Sequence, residues 1–180
     1  MHKKALILLS IFALTLTSCG SSKNRRVVTK KTTKTVKRPK STRNTTTKPT
    51  TTSTLAKAIV NNAKQYKGTR YKYGGTTKAG MDCSGLVYTA FKKENINIPR
   101  VSSAMASHGN WIDLKKVKPG DLVFFATKKN SRKVNHVGIV TSSRTGNVEF
   151  IHSSSSKGVI ISNLAERYWY FAFVQARRLL

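Results

Sequence analysis

A cysteine and two histidines are the residues of this chain with the clearest capacity for chemistry. Cys83 opens a segment, residues 83–94, whose apolar side chains recur at helical spacing. The positive end of a helix dipole favours the thiolate, the nucleophilic form of cysteine, and the Cys83 N–H is placed to stabilise an oxyanion. A buried structural cysteine is the alternative. The polar, glycine-rich loop before Cys83 argues against it, because that loop gives a substrate room to approach.

A thiol nucleophile needs a base, and His136 and His152 are the candidates. They lie in two β-rich segments, residues 134–141 and 148–152. If these strands pair antiparallel, the two imidazoles lie side by side on one face of the sheet. One ring then serves as the base and the other fixes its tautomer. A single strand histidine is more often satisfied by a backbone carbonyl, but two of them together with Cys83 favour a catalytic set.

A zinc site is an alternative use of Cys83, His136, His152 and Asp82. Structural zinc sites typically use closely spaced pairs of ligands, and the sequence offers no such pair here. The sequence therefore predicts no metal and no other cofactor.

The elements that must position these residues change character halfway along the chain. Helical spacing predicts an amphipathic helix over residues 54–66, with Thr54 as a possible N-cap, before the helix that Cys83 opens. A short third helix is expected at residues 102–108. Strands are expected at 122–125, 134–141, 148–152, 159–162 and 171–178. Helices first and antiparallel strands second indicate an α+β domain.

Residues 1–18 have the pattern of a signal peptide. A short basic start precedes an apolar run of about a dozen residues, whereas a membrane-spanning helix needs roughly 20. The run ends in Leu-Thr-Ser-Cys-Gly, which resembles a bacterial lipobox and predicts that Cys19 carries lipid. An ordinary signal peptide that happens to contain a cysteine is the alternative. A lipidated Cys19 leaves Cys83 as a free thiol, whereas a Cys19–Cys83 disulfide is the competing arrangement and has little stability rationale.

Residues 19–53 are expected to form a disordered tether between membrane and domain. Between 20 and 53 there are 11 Lys and Arg, no acidic residue and no aromatic, so apolar burial cannot offset chain entropy. The whole chain carries a formal net charge of +28, and residues 54–180 hold 21 Lys and Arg against 6 acids. Such charge suits an anionic partner, but export to the cell envelope argues against nucleic acid.

Five motifs in residues 54–180 resemble the NlpC family of papain-like cysteine peptidases, which cut peptidoglycan stem peptides. They are YKYGG at 71–75, DCSGLV at 82–87, KPGDLVFF at 118–125, HVGIV at 136–140 and IH at 151–152. Residues 156–162 and 176–179 are most similar to the murein endopeptidase lipoproteins of that family. The resemblance implies a papain-like α+β fold in which N-terminal helices pack on a C-terminal antiparallel sheet.

The resemblance also implies roles for single residues. It makes Cys83 the nucleophile, His136 the base and His152 the third polar residue of the catalytic set. Tyr71 matches a tyrosine whose hydroxyl lies near the oxyanion site.

Asp82 and Ser84 flank the nucleophile. The expectation is that they contact polar groups of the substrate, and helix capping is the equally weighted alternative.

The expected function is that of a peptidoglycan-cleaving cysteine endopeptidase acting on stem peptides or their cross-links. A non-catalytic wall-binding lipoprotein and an acyltransferase on the same fold are the alternatives. Pure binding needs none of Cys83, His136 and His152, so their joint presence favours an enzyme. The expected protein is a monomer that contacts peptidoglycan and, through Cys19, a membrane. Gly20 is not the aspartate of a retention signal, so the outer membrane facing the periplasm is the expected location.

Overall fold

The structure, a computed structural model, describes residues 51–180. The signal peptide, Cys19 and nearly all of the tether lie outside the described residues. The helices are α1 (Thr51–Lys64), α2 (Cys83–Lys92), α3 (Ser102–Met105) and α4 (Arg167–Ala172), with a 3-10 turn at Leu114–Lys116. The strands are β1 (Thr76–Thr77), β2 (Gly80–Met81), β3 (Asn110–Ile112), β4 (Leu122–Phe125), β5 (His136–Arg144), β6 (Asn147–Ser154), β7 (Gly158–Asn163) and β8 (Phe173–Arg178).

An antiparallel six-stranded sheet in the order β3-β8-β4-β5-β6-β7 forms the centre of the domain. β4 is buried along its whole length, which explains its uninterrupted apolar sequence. The strands after β4 follow one another as neighbours, β5 beside β6 and β6 beside β7. This pairing confirms the antiparallel neighbours that the two histidine-bearing segments were expected to form.

Each face of the sheet carries its own apolar core. On one face, α1 and α2 pack Ile59, Leu86 and Phe91 against strand residues that include Ile139 and Ile151. On the opposite face, Trp169 and Ala172 of α4 join a second cluster with Phe125, Val140 and Phe150. The α+β arrangement of helices on an antiparallel sheet is therefore as expected, and α4 adds cover on the other side.

The start of α1 differs from its prediction. The helix begins at Thr51, so Thr54 lies inside it, and the expectation that Thr54 caps the helix is wrong. The apolar stripe from which the start was inferred begins only at Leu55. The polar residues before it carry no periodic signal.

Five elements were missed. The β1–β2 hairpin lies in what was expected to be a polar loop, and β3 and the 3-10 turn were not foreseen. Residues 167–172 form α4, so the last strand starts at Phe173 and not at 171. Aromatic residues favour strands, and a six-residue helix is too short to show helical periodicity. No helix among residues 51–180 is long and apolar enough to cross a membrane.

Candidate active site

The carboxylate of Asp82 fixes the start of the helix that carries Cys83. Its Oδ1 accepts a hydrogen bond from the Gly85 N–H at 2.6 Å and another from the Ser84 hydroxyl at 3.1 Å. Its Oδ2 accepts from the Gly74 N–H at 2.7 Å. Asp82 is thus the N-cap of α2 and also holds the preceding glycine loop against the helix.

Arg100 completes this arrangement and was not foreseen. Its two terminal nitrogens donate to the two oxygens of Asp82 at 2.9 and 2.8 Å, and one of them also donates to Ser84 Oγ at 2.8 Å. Burial alone would raise the pKa of the Asp82 carboxyl, but the bonds from Arg100 and from backbone N–H groups outweigh it and lower the pKa. No local sequence signal points to this bond, because Arg100 lies 18 residues after Asp82.

Both of the predicted substrate contacts are therefore engaged inside the protein. Asp82 is 6% exposed and Ser84 is 7% exposed, and their side chains bond to each other and to Arg100. Asp82 instead has the alternative role, that of the N-cap of α2. Contact of either residue with a substrate stays a prediction.

Cys83 is the first residue of α2 and is buried, with 8% of its surface exposed. Burial raises the pKa of the thiol, and hydrogen bonding from backbone N–H groups, that of Val137 foremost, only partly offsets this. The N–H groups at the helix start do lower this pKa, as expected, but desolvation is the larger effect and the net shift is upward. Val137 directly follows His136, so the thiol lies beside the start of β5.

A buried serine sets the spacing between the nucleophile and the histidine strand. The hydroxyl of Ser153 donates to the carbonyl oxygen of Met81 at 2.8 Å, across 72 residues of sequence. Met81 precedes the Asp82–Cys83 pair and Ser153 follows His152. This single bond therefore ties β6 to the loop that delivers Cys83.

The two histidines form a hydrogen-bonded pair that continues to a serine. Nε2 of His136 lies 2.9 Å from Nδ1 of His152, and Nε2 of His152 lies 3.0 Å from Oγ of Ser162. If His136 acts as a base through Nδ1, its Nε2 carries the proton and donates to His152. His152 must then carry its proton on Nε2 and donate to Ser162.

Burial keeps both imidazoles neutral. Desolvation lowers the pKa of His136 to about 4, and desolvation together with the neighbouring His136 lowers that of His152 to about 3. His152 is fully buried, whereas His136 retains some exposed surface. His136 is thus the ring that a substrate can reach.

Trp169 of α4 covers this pair. Its ring stacks on His136 with a centroid distance of 5.4 Å and meets His152 edge-on at 4.6 Å. Phe125 and Phe150 pack against the same indole. These rings shield the His136–His152 bond from solvent on the α4 side. Trp169 was missed together with its helix.

Tyr71 lies in the electrostatic neighbourhood of the nucleophile. Burial raises the pKa of its hydroxyl, and the neighbouring Cys83 and Asp82 raise it further. The hydroxyl is therefore a proton donor at neutral pH. No three His, Cys, Asp or Glu side chains within residues 51–180 converge as metal ligands would.

The sequence profile described as the NlpC/P60 family matches residues 68–178. The chain belongs to the NlpC/P60 family. The match covers the catalytic candidates together with Arg100, Ser162 and Trp169.

Proteins similar to this NlpC/P60 chain include named endopeptidases. A "probable endopeptidase NlpC homolog" of Haemophilus influenzae is 41% identical over 125 residues, 69% of this chain and 63% of that protein. The "murein DD-endopeptidase MepS/murein LD-carboxypeptidase" of Escherichia coli is 38% identical over 123 residues, 68% of this chain and 62% of that protein. The chain therefore spans less than two thirds of the length of either relative.

Solved structures support the same family. The crystal structure of an NlpC/P60 family protein from Bacillus cereus superposes with a TM-score of 0.63 and is 32% identical, covering 69% of this chain and 40% of that one. The papain-like fold expected from the sequence is confirmed.

The first prediction concerns His152, which needs only to accept a hydrogen bond from His136. An amide oxygen can do the same, so His152→Asn and His152→Gln should keep part of the activity. His152→Ala should lose more, because the His136 tautomer and orientation are then unset, and losses from such orienting groups reach about 10⁴-fold. The measurement is turnover of one substrate by each variant, with and without chelator.

His136→Asn is the matched control, and it should be far worse than His152→Asn because an amide cannot take the thiol proton. Wild-type activity in His152→Ala would remove His152 from the site. Equal failure of Asn and Ala together with inhibition by chelator would indicate a metal ligand.

The second prediction concerns the acid limb of kcat/KM, which reports protonation of the base in the free enzyme. Because the pKa of His136 is lowered to about 4, activity should persist well below pH 6.5 and fall near pH 4. A midpoint near 6.5 would contradict the buried, neutral base.

Folding must be followed over the same range. Unfolded histidines take up protons below about pH 6.5, whereas His136 and His152 in the folded domain do not until about pH 4 and about pH 3. The unfolded state thus binds more protons in this window, and stability should decline as the pH falls through it. Circular dichroism at each pH separates unfolding from loss of the base.

Proposed function

We propose that this protein is a cysteine endopeptidase that hydrolyses amide bonds in peptidoglycan stem peptides or their cross-links. The observation that carries the proposal is the placement of a thiol at the start of α2, beside a strand whose His136 is linked to His152 and Ser162. Similar proteins named as murein and peptidoglycan endopeptidases support the substrate class.

The reaction begins from a neutral thiol and a neutral imidazole. His136 Nδ1 takes the proton of Cys83 as Sγ attacks the carbonyl carbon of the scissile amide, which gives a tetrahedral oxyanion. The imidazolium then gives this proton to the leaving amine, the C–N bond breaks, and a thioester remains on Cys83. Water, deprotonated by the same ring, hydrolyses the thioester and restores the thiol.

The oxyanion is stabilised by donors that the fold holds in advance. The Cys83 N–H at the start of α2 and the hydroxyl of Tyr71 are the two we assign to this role. The imidazolium that forms on His136 is oriented by His152. Trp169 packs on both rings and so favours this bond over a hydrogen bond from His136 to solvent.

The net positive charge of the domain supports the proposal that the substrate is anionic and insoluble. Residues 54–180 carry 21 Lys and Arg against 6 acids, and peptidoglycan stems carry carboxylates. The attraction between such charges raises the local concentration of the domain at the wall.

The third prediction tests the reaction itself. Cys83→Ala should abolish the release of new amine and carboxyl ends from purified peptidoglycan while leaving the fold intact, because one thiol contributes little packing. Mass spectrometry of the products identifies the ends. Wild-type protein that binds the wall without producing new ends would indicate a non-catalytic binder, and products joined to a new amine would indicate acyl transfer. Cleavage by the alanine variant would refute the mechanism.

We further propose that the protein is a lipoprotein anchored by lipid on Cys19 in the outer membrane and facing the periplasm. The support is the sequence of residues 1–20, with its basic start, short apolar run and lone cysteine among small residues. The basic residues up to position 53 then serve as a tether that lets the domain reach the wall.

The fourth prediction is that Cys19→Ala releases the protein from the membrane fraction without loss of its activity on soluble substrate. Because the tether is strongly basic, membranes must be washed in high salt, which screens electrostatic adsorption. Wild-type protein should still pellet after this wash. A Cys19→Ala variant that pellets equally well would count against lipidation.

A further inference from the structure

An open groove lies between α4 and the loop that joins β4 to β5. We call it the aromatic groove; it has a volume of about 570 Å³, within the range of ligand sites. Its walls and floor include Lys128, Lys129, Arg167, Tyr168, Phe171 and Ala172.

Two large aromatic side chains in this groove have no cover. Tyr168 is 58% exposed and Phe171 is 68% exposed, although side chains of this size could bury much apolar surface in a core. They are three residues apart on α4, which places them on the same side of the helix. Neighbouring exposed aromatic side chains mark an interaction site more often than single exposed apolar residues do.

The charged side chains that line the groove are all positive. None of its lining residues is acidic. Lys128, Lys129 and Arg167 form no salt bridge with any carboxylate of residues 51–180. The nearby Glu166 is engaged instead with the backbone N–H of Asn163. The charge of the groove is therefore available to a negatively charged ligand.

The aromatic groove lies next to Trp169, the ring that covers His136. The ring of Tyr168 packs on Trp169 at 4.8 Å, and Trp169 stacks on His136. The loop that bears the two lysines ends at Asn135, the residue before His136. A ligand in the groove is thus separated from the catalytic base by one aromatic ring.

We infer that the aromatic groove binds the peptidoglycan polymer beyond the scissile bond. The apolar faces of sugar rings pack on Tyr168 and Phe171, and stem-peptide carboxylates bind Lys128, Lys129 and Arg167. Aromatic and cationic residues together would also suit an anionic membrane. Because only Trp169 separates the groove from His136, we assign the groove to the polymer on which that base acts, and an anionic membrane is an outcome of the test. The inference rests on the proposed function and extends it to a second binding surface.

The test is binding of the full chain, inactivated by Cys83→Ala, to purified insoluble peptidoglycan. Two groove variants are added to it, Tyr168→Ala with Phe171→Ala, and Lys128→Ala with Lys129→Ala. Each pair should weaken binding about fivefold to tenfold, the size expected for losing anchor residues of an interface. Thermal unfolding of every variant checks that α4 and the loop persist.

The chain offers matched controls on the same surface. Tyr170→Ala removes a tyrosine that is 61% exposed on the same helix but lines a separate cavity with Lys115 and Arg144. Lys115→Ala with Lys116→Ala removes two neighbouring lysines away from the groove. Both controls should bind as the parent does.

Several outcomes would overturn the inference. If the lysine control weakens binding as much as the groove variants do, charge alone drives binding. If both groove variants bind as well as the parent, the polymer does not bind in the groove. Loss of binding to phosphatidylglycerol vesicles, with peptidoglycan binding kept, would assign the groove to a membrane. Groove-dependent binding, together with no cleavage of peptidoglycan by the chain that retains Cys83, would keep this inference and reject the proposed activity.

Discussion

The position of the nucleophile depends on one buried carboxylate. Asp82 accepts two backbone N–H groups and two guanidinium bonds, and it thereby joins the glycine loop, the start of α2 and Arg100. An N-cap alone is worth about 0.5–2 kcal/mol, and breaking a buried ion pair costs about 3–5 kcal/mol. Arg100 keeps 34% of its side chain exposed, so the pair lies between a buried and a surface one. Capping and pairing together make this the strongest local constraint on Cys83.

The same carboxylate has an electrostatic consequence for the thiol beside it. Its negative charge raises the pKa of Cys83 and of Tyr71, and burial acts in the same direction. A permanent thiolate next to a permanent carboxylate would be two like charges in a poorly solvated place. Burial and this carboxylate therefore both favour the protonated thiol. The lowered pKa values of His136 and His152 match this neutral thiol. Thiol and imidazole are therefore both uncharged in the free protein and do not form an ion pair.

The catalytic candidates could be predicted from the sequence because their signals are local. Cys83 sits where helical periodicity begins, and His136 and His152 sit in segments with strand composition. Their pairing followed from the expected antiparallel neighbours, which the register of β5 and β6 confirms. Periodicity and strand order thus indicated these three residues, and the family resemblance supplied the role of each.

The supporting residues could not be predicted in this way. Arg100 meets Asp82 across 18 residues and Ser153 meets Met81 across 72, and no local pattern announces either bond. Nothing in the local sequence distinguishes Ser162 from other strand serines. Its contact with His152 depends on the pairing of β7 with β6. Trp169 lies in a helix too short for periodicity to detect. Long-range contacts of this kind are decided by tertiary packing.

The second face of the sheet explains why these missed residues matter to the chemistry. α2 and its nucleophile pack with the first core cluster, whereas Trp169 belongs to the second, on the opposite face. The His136–His152 bond lies where aromatic residues of that second cluster close over it. If water could enter, it would solvate a charged imidazole and compete for Nε2 of His136. The aromatic cover on this face therefore favours a neutral His136 that keeps its hydrogen bond to His152.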